Sequence, residues 1–346
     1  MKVIVASTCV PFIHGGGTLI VDWLAEELVR RGHEVEVLSI PSVSNTRMLP
    51  GQMLGLRLID LSGQSDRLIS IRYPAHLIRH DSHVTWFIHH HRPLFDLWDS
   101  DYRDITPGPT GVEYRRIIQH ADTTSLSSLH QIFTNSRIVA GRIRRFNGLD
   151  AEVVYPPIGG DLSRFRCDAY GDYIFFPSRL TSHKRQVLLI EAMAHTRTPV
   201  RLVIAGAAES PGYERTLADL VRRLDVADRV ELRTTWITEA EKAELLASCL
   251  ALAYLPLDED SYGYPSLEAH HARKAVVTAS DAGGVLELVA DGCNGLVSEP
   301  TPEAVAAAFD RLYEDRQLAQ RLGEAGLTRM AELGIGWDHT IRRMLA

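Results

Sequence analysis

The sequence predicts an α/β protein built from two doubly wound parallel-sheet domains. Three observations carry that prediction. Residues 2–40 spell strand, glycine-rich loop, helix and strand, the unit from which such sheets are wound. The same order restarts at residue 173, after a turn-rich stretch, and 346 residues exceed what one small core organises. Composition is that of an ordinary globular protein, 45% hydrophobic and 23% charged. No apolar run approaches the roughly 20 residues of a membrane span, and the opening M-K-V-I-V-A-S is too short for a signal peptide, so a cytoplasmic location is expected. Residues 1–165 hold 17 Lys and Arg against 17 Asp and Glu, whereas residues 166–346 hold 20 against 27. The net charge of −7 therefore sits in the second half, and neither half has the basic excess a nucleic-acid partner requires. Cys9, Cys167, Cys249 and Cys293 lack metal-ligand spacing and read as buried free thiols.

In the first half, residues 2–7 form a buried strand and residues 11–17 the loop after it. Apolar residues at 20, 21, 24, 28 and 29 mark a helix over 18–31, ended by Gly32 and followed by a strand over 34–40. The dinucleotide fingerprint G-x-G-x-x-G is incomplete, because position 20 is Ile, and there is no P-loop lysine. Gly15, Gly16 and Gly17 read instead as a flexible loop that lets backbone approach a ligand. Residues 42–80 carry a weak pattern and are expected to be short elements with an exposed surface. A strand over 84–88 runs into His89, His90 and His91, which places histidine at the carboxyl edge of the sheet, where ligands bind. A solvated cluster or an adventitious metal site is the alternative. Helices are expected over 113–121 and 126–130, then a strand and a capped helix ended by Asn147-Gly148. Arg142, Arg144 and Arg145 on that helix read as a solvated face, or as a patch for an anionic acceptor or membrane surface. After a strand over 151–154, the stiff segment 155–160 marks the linker, with Phe165 near the boundary.

The second half opens with a strand over 173–176, a loop containing Arg179 and Lys184, and a helix over 186–195. Lysine is scarce (Lys2, Lys184, Lys242 and Lys274), which singles out Lys184. Strands over 201–205 and 229–232 alternate with a helix over 213–224, and T-E-A-E at 238–241 fits a capping box. The most informative stretch follows: L-A-Y-L-P-L-D-E-D-S-Y-G-Y-P-S-L-E, residues 252–268. A doubly buried strand leads into an acidic loop, and Pro265 stands where a helix begins. Backbone N–H groups in the segment Tyr262, Gly263, Tyr264, Pro265 and Ser266 are expected to face a phosphate from that helix end. Asp260 and Glu268 flank the cradle with seven residues between them. Two carboxylates about a phosphate seat suit a ligand with hydroxyl-bearing groups on both sides, the shape of a nucleotide sugar. A strand over 274–278, glycine turns at 281–287 and 291–297 (the latter read as structural), and helices over 302–313, 315–332 and 337–345 complete the chain.

The Arg179-Leu180…Lys184 loop, the acid–seven–Glu motif and the D-G-C-N-G turn, in that order, resemble retaining glycosyltransferases of family 4, with the GT-B fold. The resemblance is strongest over 173–297 and weaker over 42–125. It implies two Rossmann-like domains about a cleft: an acceptor domain at 1–165, a donor domain at 166–330, and a C-terminal helix at 331–346 crossing back to the first. It implies that a sugar moves from a UDP- or GDP-sugar to a hydroxyl of a saccharide, lipid-linked or small-molecule acceptor, without metal or other cofactor and with possible peripheral membrane contact. Arg179 and Lys184 neutralise the diphosphate, Asp260 positions the sugar, and Glu268 holds the ribose. Gly16 and Gly17 close over the phosphates, His89 faces the sugar, and the loop at Ile237 meets the base. The family usually has Glu where this chain has Asp260, one methylene shorter; Glu259 lies one place early. No side chain is assigned as general base, a role the resemblance gives to the leaving phosphate. A nucleotide-sugar 2-epimerase of the same shape, or an NAD-dependent oxidoreductase, is the alternative reading.

Overall fold

The computed structural model describes residues 1–12, 15–42, 45–100 and 103–346. The chain divides into two compact units, Met1–Gly159 together with Gly334–Ala346, and Gly160–Leu333. In the first, β1 (Lys2–Cys9), α1 (Gly16–Arg30), β2 (Glu34–Pro41), α2 (Leu49–Leu58), β3 (Arg67–Ser70) and β4 (His83–Phe87) are followed by α3 (Pro109–Leu126), β5 (Gln131–Thr134), α4 (Arg137–Asn147) and β6 (Glu152–Val153). The strands form a parallel sheet in the order β2-β1-β3-β4-β5-β6. Alternation along β1 sends Val5 to one face, with Ile20, Leu24 and Trp86, and Ala6 to the other, with Leu68, Phe87 and Ile132. Ser136 caps α4 by accepting from the Val139 amide at 3.1 Å, and Gly148, with φ 67°, stops it as the Asn-Gly pair suggests.

The second unit repeats the architecture. It contains β7 (Tyr173–Pro177), α5 (Gln186–Met193), β8 (Arg201–Ala205), α6 (Pro211–Arg223), β9 (Val230–Arg233), α7 (Glu239–Ser248), β10 (Ala251–Ala253) and α8 (Tyr264–His271). β11 (Val276–Ala279), α9 (Val285–Leu288), β12 (Gly295–Ser298), α10 (Pro302–Glu314) and α11 (Arg316–Glu332) follow. The sheet is again parallel, in the order β12-β11-β10-β7-β8-β9. Apart from the edge strand β9, its strands are short apolar runs buried on both faces, as a sheet covered by helices on either side requires. The D-G-C-N-G turn is structural: the Asn294 side chain accepts from the Ala290 amide at 2.8 Å, donates to the Leu288 carbonyl at 3.0 Å and meets the buried His270 ring.

The last helix, α12 (Trp337–Leu345), belongs to the first unit. Ile341 and Met344 enter the core beside Val3 and Leu24, and Trp337 donates to the Ile158 carbonyl at 3.0 Å. Arg343 grips Glu152 in a bidentate pair at 2.7 and 2.6 Å. Arg67 on β3 reaches the carbonyls of Leu345 and Ala346.

Four expectations change. Residues 67–78, expected at an exposed surface, are almost wholly buried, because β3 is an interior strand of the sheet. Residues 127–130 are a turn after α3 rather than a helix. Arg142 is not solvated but buried against Asp96 at 3.3 Å, while Arg144 pairs with Asp150 at the surface. Only Cys249 is a buried thiol; Cys9 and Cys167 are half-buried and Cys293 is exposed. No helix among the described residues is long and apolar enough to cross a membrane.

Burial holds three histidines neutral, lowering His83 to about 3 and His90 and His270 to about 4. The unfolded chain takes up these protons from about pH 6.5 downward and the folded chain only near the lowered values. Their contribution to stability is therefore complete above pH 6.5 and is lost as pH falls toward 4, at up to about 1.4 kcal/mol per pH unit for each histidine. Urea unfolding from pH 7 to 4.5 should show this slope, and His90→Gln should reduce it.

Candidate active site

In the second unit, β7 and β10 are neighbours, with Ile174 opposite Ala251 and Phe175 opposite Leu252. From β7 the chain winds outward to β8 and β9; from β10 it winds the other way to β11 and β12. The loops leaving these two carboxyl ends therefore part, and the crevice between them is where doubly wound sheets bind ligands. The loop after β7 is pinned by buried Gln186, which donates to the Arg179 carbonyl at 3.0 Å and accepts from the Tyr213 hydroxyl at 2.9 Å. The Arg179 side chain is exposed, with no ion pair among the described residues. Lys184 lies in the buried turn before α5; its Nζ donates to the Tyr254 hydroxyl at 2.8 Å and pairs with Glu259. The next residue, Arg185, is left-handed with φ 60° and forks onto Asp281 at 2.7 and 2.5 Å, which holds that carboxyl below its usual range.

The acidic loop after β10 is laced to its surroundings through backbone. The Leu257 amide donates to the His183 carbonyl at 2.9 Å, Asp258 to Asp281 at 3.1 Å, and Gly284 to Glu259 at 2.8 Å. This close approach explains the second glycine turn. A Cβ on Gly283 would lie 2.6 Å from the Glu259 carbonyl oxygen, and one on Gly284 would lie 2.6 Å from the Ser261 Cα. Asp260 is half-buried between Glu259 and Ser261. Because Glu259 is engaged by Lys184, the two neighbouring acids have different surroundings.

Helix α8 begins at Tyr264, with Gly263 as its N-cap at φ 68° and Pro265 in second place rather than first. Of the five amide positions expected to face a phosphate, Pro265 has no N–H and the Ser266 amide donates to the Gly263 carbonyl at 3.1 Å. The expected cradle thus loses two positions. Tyr262 is buried, Tyr264 half-buried, and burial raises the Tyr264 phenol. Glu268, on the second turn, is only 4% exposed. Its Oε1 accepts from Lys242 Nζ at 2.7 Å, whereas Oε2, like Ser266 Oγ, is buried without a hydrogen-bond partner among the described residues. Ile237 is half-buried, immediately before Thr238, whose reciprocal bonds with Glu241 form the expected capping box on α7.

In the first unit, Gly16 and Gly17 are the first residues of α1 rather than part of the preceding loop, and a Cβ on Gly17 would lie 3.3 Å from Arg72 Nε. The three consecutive histidines separate. His90 is buried and bonded to Asn147 at 2.9 Å, and His91 is tied to Thr46. His89 is half-buried, with Nδ1 2.8 Å from the His90 carbonyl oxygen. Among the described residues no cluster of three or more His, Cys, Asp or Glu is arranged to hold a metal.

Sequence reading missed Tyr254, the Arg185–Asp281 fork and Lys242. Tyr254 was hidden in an apolar run. The scarcity that drew attention to Lys184 applies equally to Lys242, which would have been the available signal.

Two parallel six-stranded Rossmann-like sheets define a protein of the GT-B class, and the fold is shared with Anabaena HepE in complex with UDP and glucose. That likeness covers 99% of each chain, with a TM-score of 0.72 at 18% identity. Residues 168–329, within the second unit, match the model of glycosyl transferases group 1. Alpha-maltose-1-phosphate synthase of Mycobacterium tuberculosis is 35% identical over 200 residues, which cover 53% of this chain and 50% of that protein. D-inositol 3-phosphate glycosyltransferase of Kineococcus radiotolerans is 26% identical over 401 residues, covering 96% and 89%. The chain thus spans about half the length of the first curated relatives it matches.

Gly263 and Gly292 share a φ of 68°, but a Cβ on Gly263 would lie 2.3 Å from Tyr254 Cε1, whereas Gly292 has nothing within 4 Å. Gly292→Ala should therefore cost only the left-handed backbone term of about 1–2 kcal/mol. Gly263→Ala should cost more, by about 1–3 kcal/mol of overpacking. Denaturant midpoints of the two variants, measured side by side, test the difference.

Proposed function

We propose that this protein transfers a sugar, with retention at the anomeric carbon, from a UDP- or GDP-sugar to an acceptor hydroxyl. The observation that carries the reading lies in the second unit: a cation-bearing loop and an acid-bearing loop flank the β7–β10 switch point. There an exposed guanidinium, Arg179, and a buried ammonium, Lys184, accompany a buried carboxylate, Glu268, with one oxygen unused among the described residues. The bond between the anomeric carbon and the donor phosphate oxygen breaks, leaving a diphosphate whose negative charge grows. Fixed cations lower the energy of that state because they need no reorganisation as charge develops. Lys184 is held near its place by Tyr254 and Glu259, and the diphosphate competes with the Glu259 carboxylate for its protons.

Glu268 accepts from the ribose hydroxyls, Asp260 orients the transferred sugar, and Ile237 lies at the base. Tyr262, Gly263, Tyr264, Pro265 and Ser266 form the turn beside the phosphates. On the first unit, which we assign to the acceptor, the roles of His89 toward the sugar and of Gly16 and Gly17 toward the phosphates rest on the family resemblance. The acceptor oxygen bonds to the anomeric carbon, and its proton passes to an oxygen of the departing phosphate, so no side chain is required as base. The acceptor class is a saccharide, lipid-linked or small-molecule hydroxyl.

Thermal unfolding against UDP, GDP, ADP, dTDP and NAD tests the donor. A nucleotide at 100 times its Kd stabilises by about 2.7 kcal/mol, a shift of a few degrees. One nucleoside diphosphate should give that shift; a shift with NAD alone would sink the reading. With the matching sugar nucleotide, Lys184→Ala should lower turnover by roughly 100-fold or more, the cost of removing one preorganised charge-stabilising group.

A further inference from the structure

Lys242 is a half-buried cation that the reaction just described leaves without a task. It projects from the first turn of α7 and its side chain is 16% exposed. Its Nζ lies 2.7 Å from Glu268 Oε1 and 2.9 Å from Glu239 Oε2. Burial pulls its pKa down, but the two carboxylates more than offset that and the net shift is upward, so the ammonium is charged. A buried carboxylate oxygen without a hydrogen-bond partner is costly, so each one calls for a physical reason. In Glu268, Oε1 is taken by Lys242 and Oε2 has no partner among the described residues; Asp96 and Asp122 in the first unit also keep one such oxygen, but Glu268 alone of the three stands on the helix that follows β10, beside the switch point. The missing partner is a donor, and a ribose hydroxyl is one.

We propose that Lys242 is a positioning residue that holds Glu268 by Oε1, presents Oε2 to the nucleotide's ribose hydroxyls, and so sets a preference for ribonucleotide donors. The inference rests on the donor reading above. It adds the element that fixes the carboxylate's rotation and keeps its charge in a buried place. Without the ammonium, a buried Glu268 turns toward another donor or takes up a proton, and in either state Oε2 no longer serves as a fixed acceptor. Helix α7 starts two residues after Ile237, so the loop assigned to the base leads into the helix that carries the lysine aligning the ribose acid. A site built to bond a hydroxyl rejects the analogue lacking it, since its own polar group is then left unpaired.

Calorimetry of the full chain with UDP and 2′,3′-dideoxy-UDP, and with the corresponding guanosine pair, tests the proposal. The wild type should favour the ribonucleotide by at least ~30-fold. Lys242→Met should bring that ratio to within about 3-fold, chiefly by weakening the ribonucleotide, and Lys242→Arg should keep most of it. Glu268→Gln should lose the preference too, and adding Lys242→Met to it should cost nothing further, the coupling expected of residues that act as one. A lysine of purely structural importance would lower the melting temperature and leave the ratio untouched. A folded Lys242→Met or Lys242→Gln variant that retains the wild-type ratio overturns the proposal, as does a wild type that binds UDP or GDP with no ribose preference. A wild type that binds no nucleoside diphosphate overturns the donor reading itself, and this inference with it.

Discussion

The second unit depends on one topological constraint, the change of winding direction between β7 and β10. Parallel strands require crossovers, and a sheet wound outward from its centre in both directions must contain one pair of neighbours whose loops part. Those two loops carry Arg179 and Lys184 on one side and Glu259 and Asp260 on the other. Their separation opens a crevice, but it also leaves both loops without strand partners. The structure answers with backbone bonds: Leu257 to His183, Asp258 to Asp281 and Gly284 to Glu259. Gly283 and Gly284 are required there because a Cβ at either position would occupy the space of the acidic loop's backbone.

Charge within this crevice is arranged by pairing rather than by solvent. Lys184 is held by Tyr254 and Glu259, Arg185 by Asp281, and Lys242 by Glu239 and Glu268. A buried ion pair contributes little net stability, because desolvation offsets most of the Coulomb attraction. Its value here is geometric, since it fixes where an ammonium or a carboxylate oxygen stands before a ligand arrives. Arg179 contrasts with these groups, being exposed and without an ion pair among the described residues, so it can move to an incoming anion. The first unit shows the same division of labour among its histidines. His90 is neutral and committed to packing against Asn147, whereas His89, one residue earlier, is only half-buried.

Much of the architecture was legible in advance. Alternating apolar runs and helical periods, with glycine or proline at their ends, identify elements because burial on both faces and helix capping impose local composition. Reading failed where local composition is ambiguous. The region around β3 contains Arg67, Ser70, Arg72 and His76, which gives it a polar appearance, yet β3 is interior and these residues find partners or burial far away in the chain. At the candidate site, Lys184, Asp260 and Glu268 were visible from motif order. The partners of Lys184 and Glu268 were not, since Tyr254 and Lys242 lie 70 and 26 residues away.

The amino-acid sequence by itself determined the α/β class, the repeated winding, the helix caps and the ordered set of charged and glycine-rich loops. These follow from interactions over a few residues, where side-chain period and backbone preference suffice. Tertiary structure alone decided which of three consecutive histidines is packed away and which of two adjacent acids meets Lys184. It also decided that Ser266's amide is spent within its own helix turn, and that Glu268 keeps one oxygen without a partner among the described residues. Each of these depends on how distant segments are brought to one place, where a shift of a single residue along a loop exchanges one partner for another.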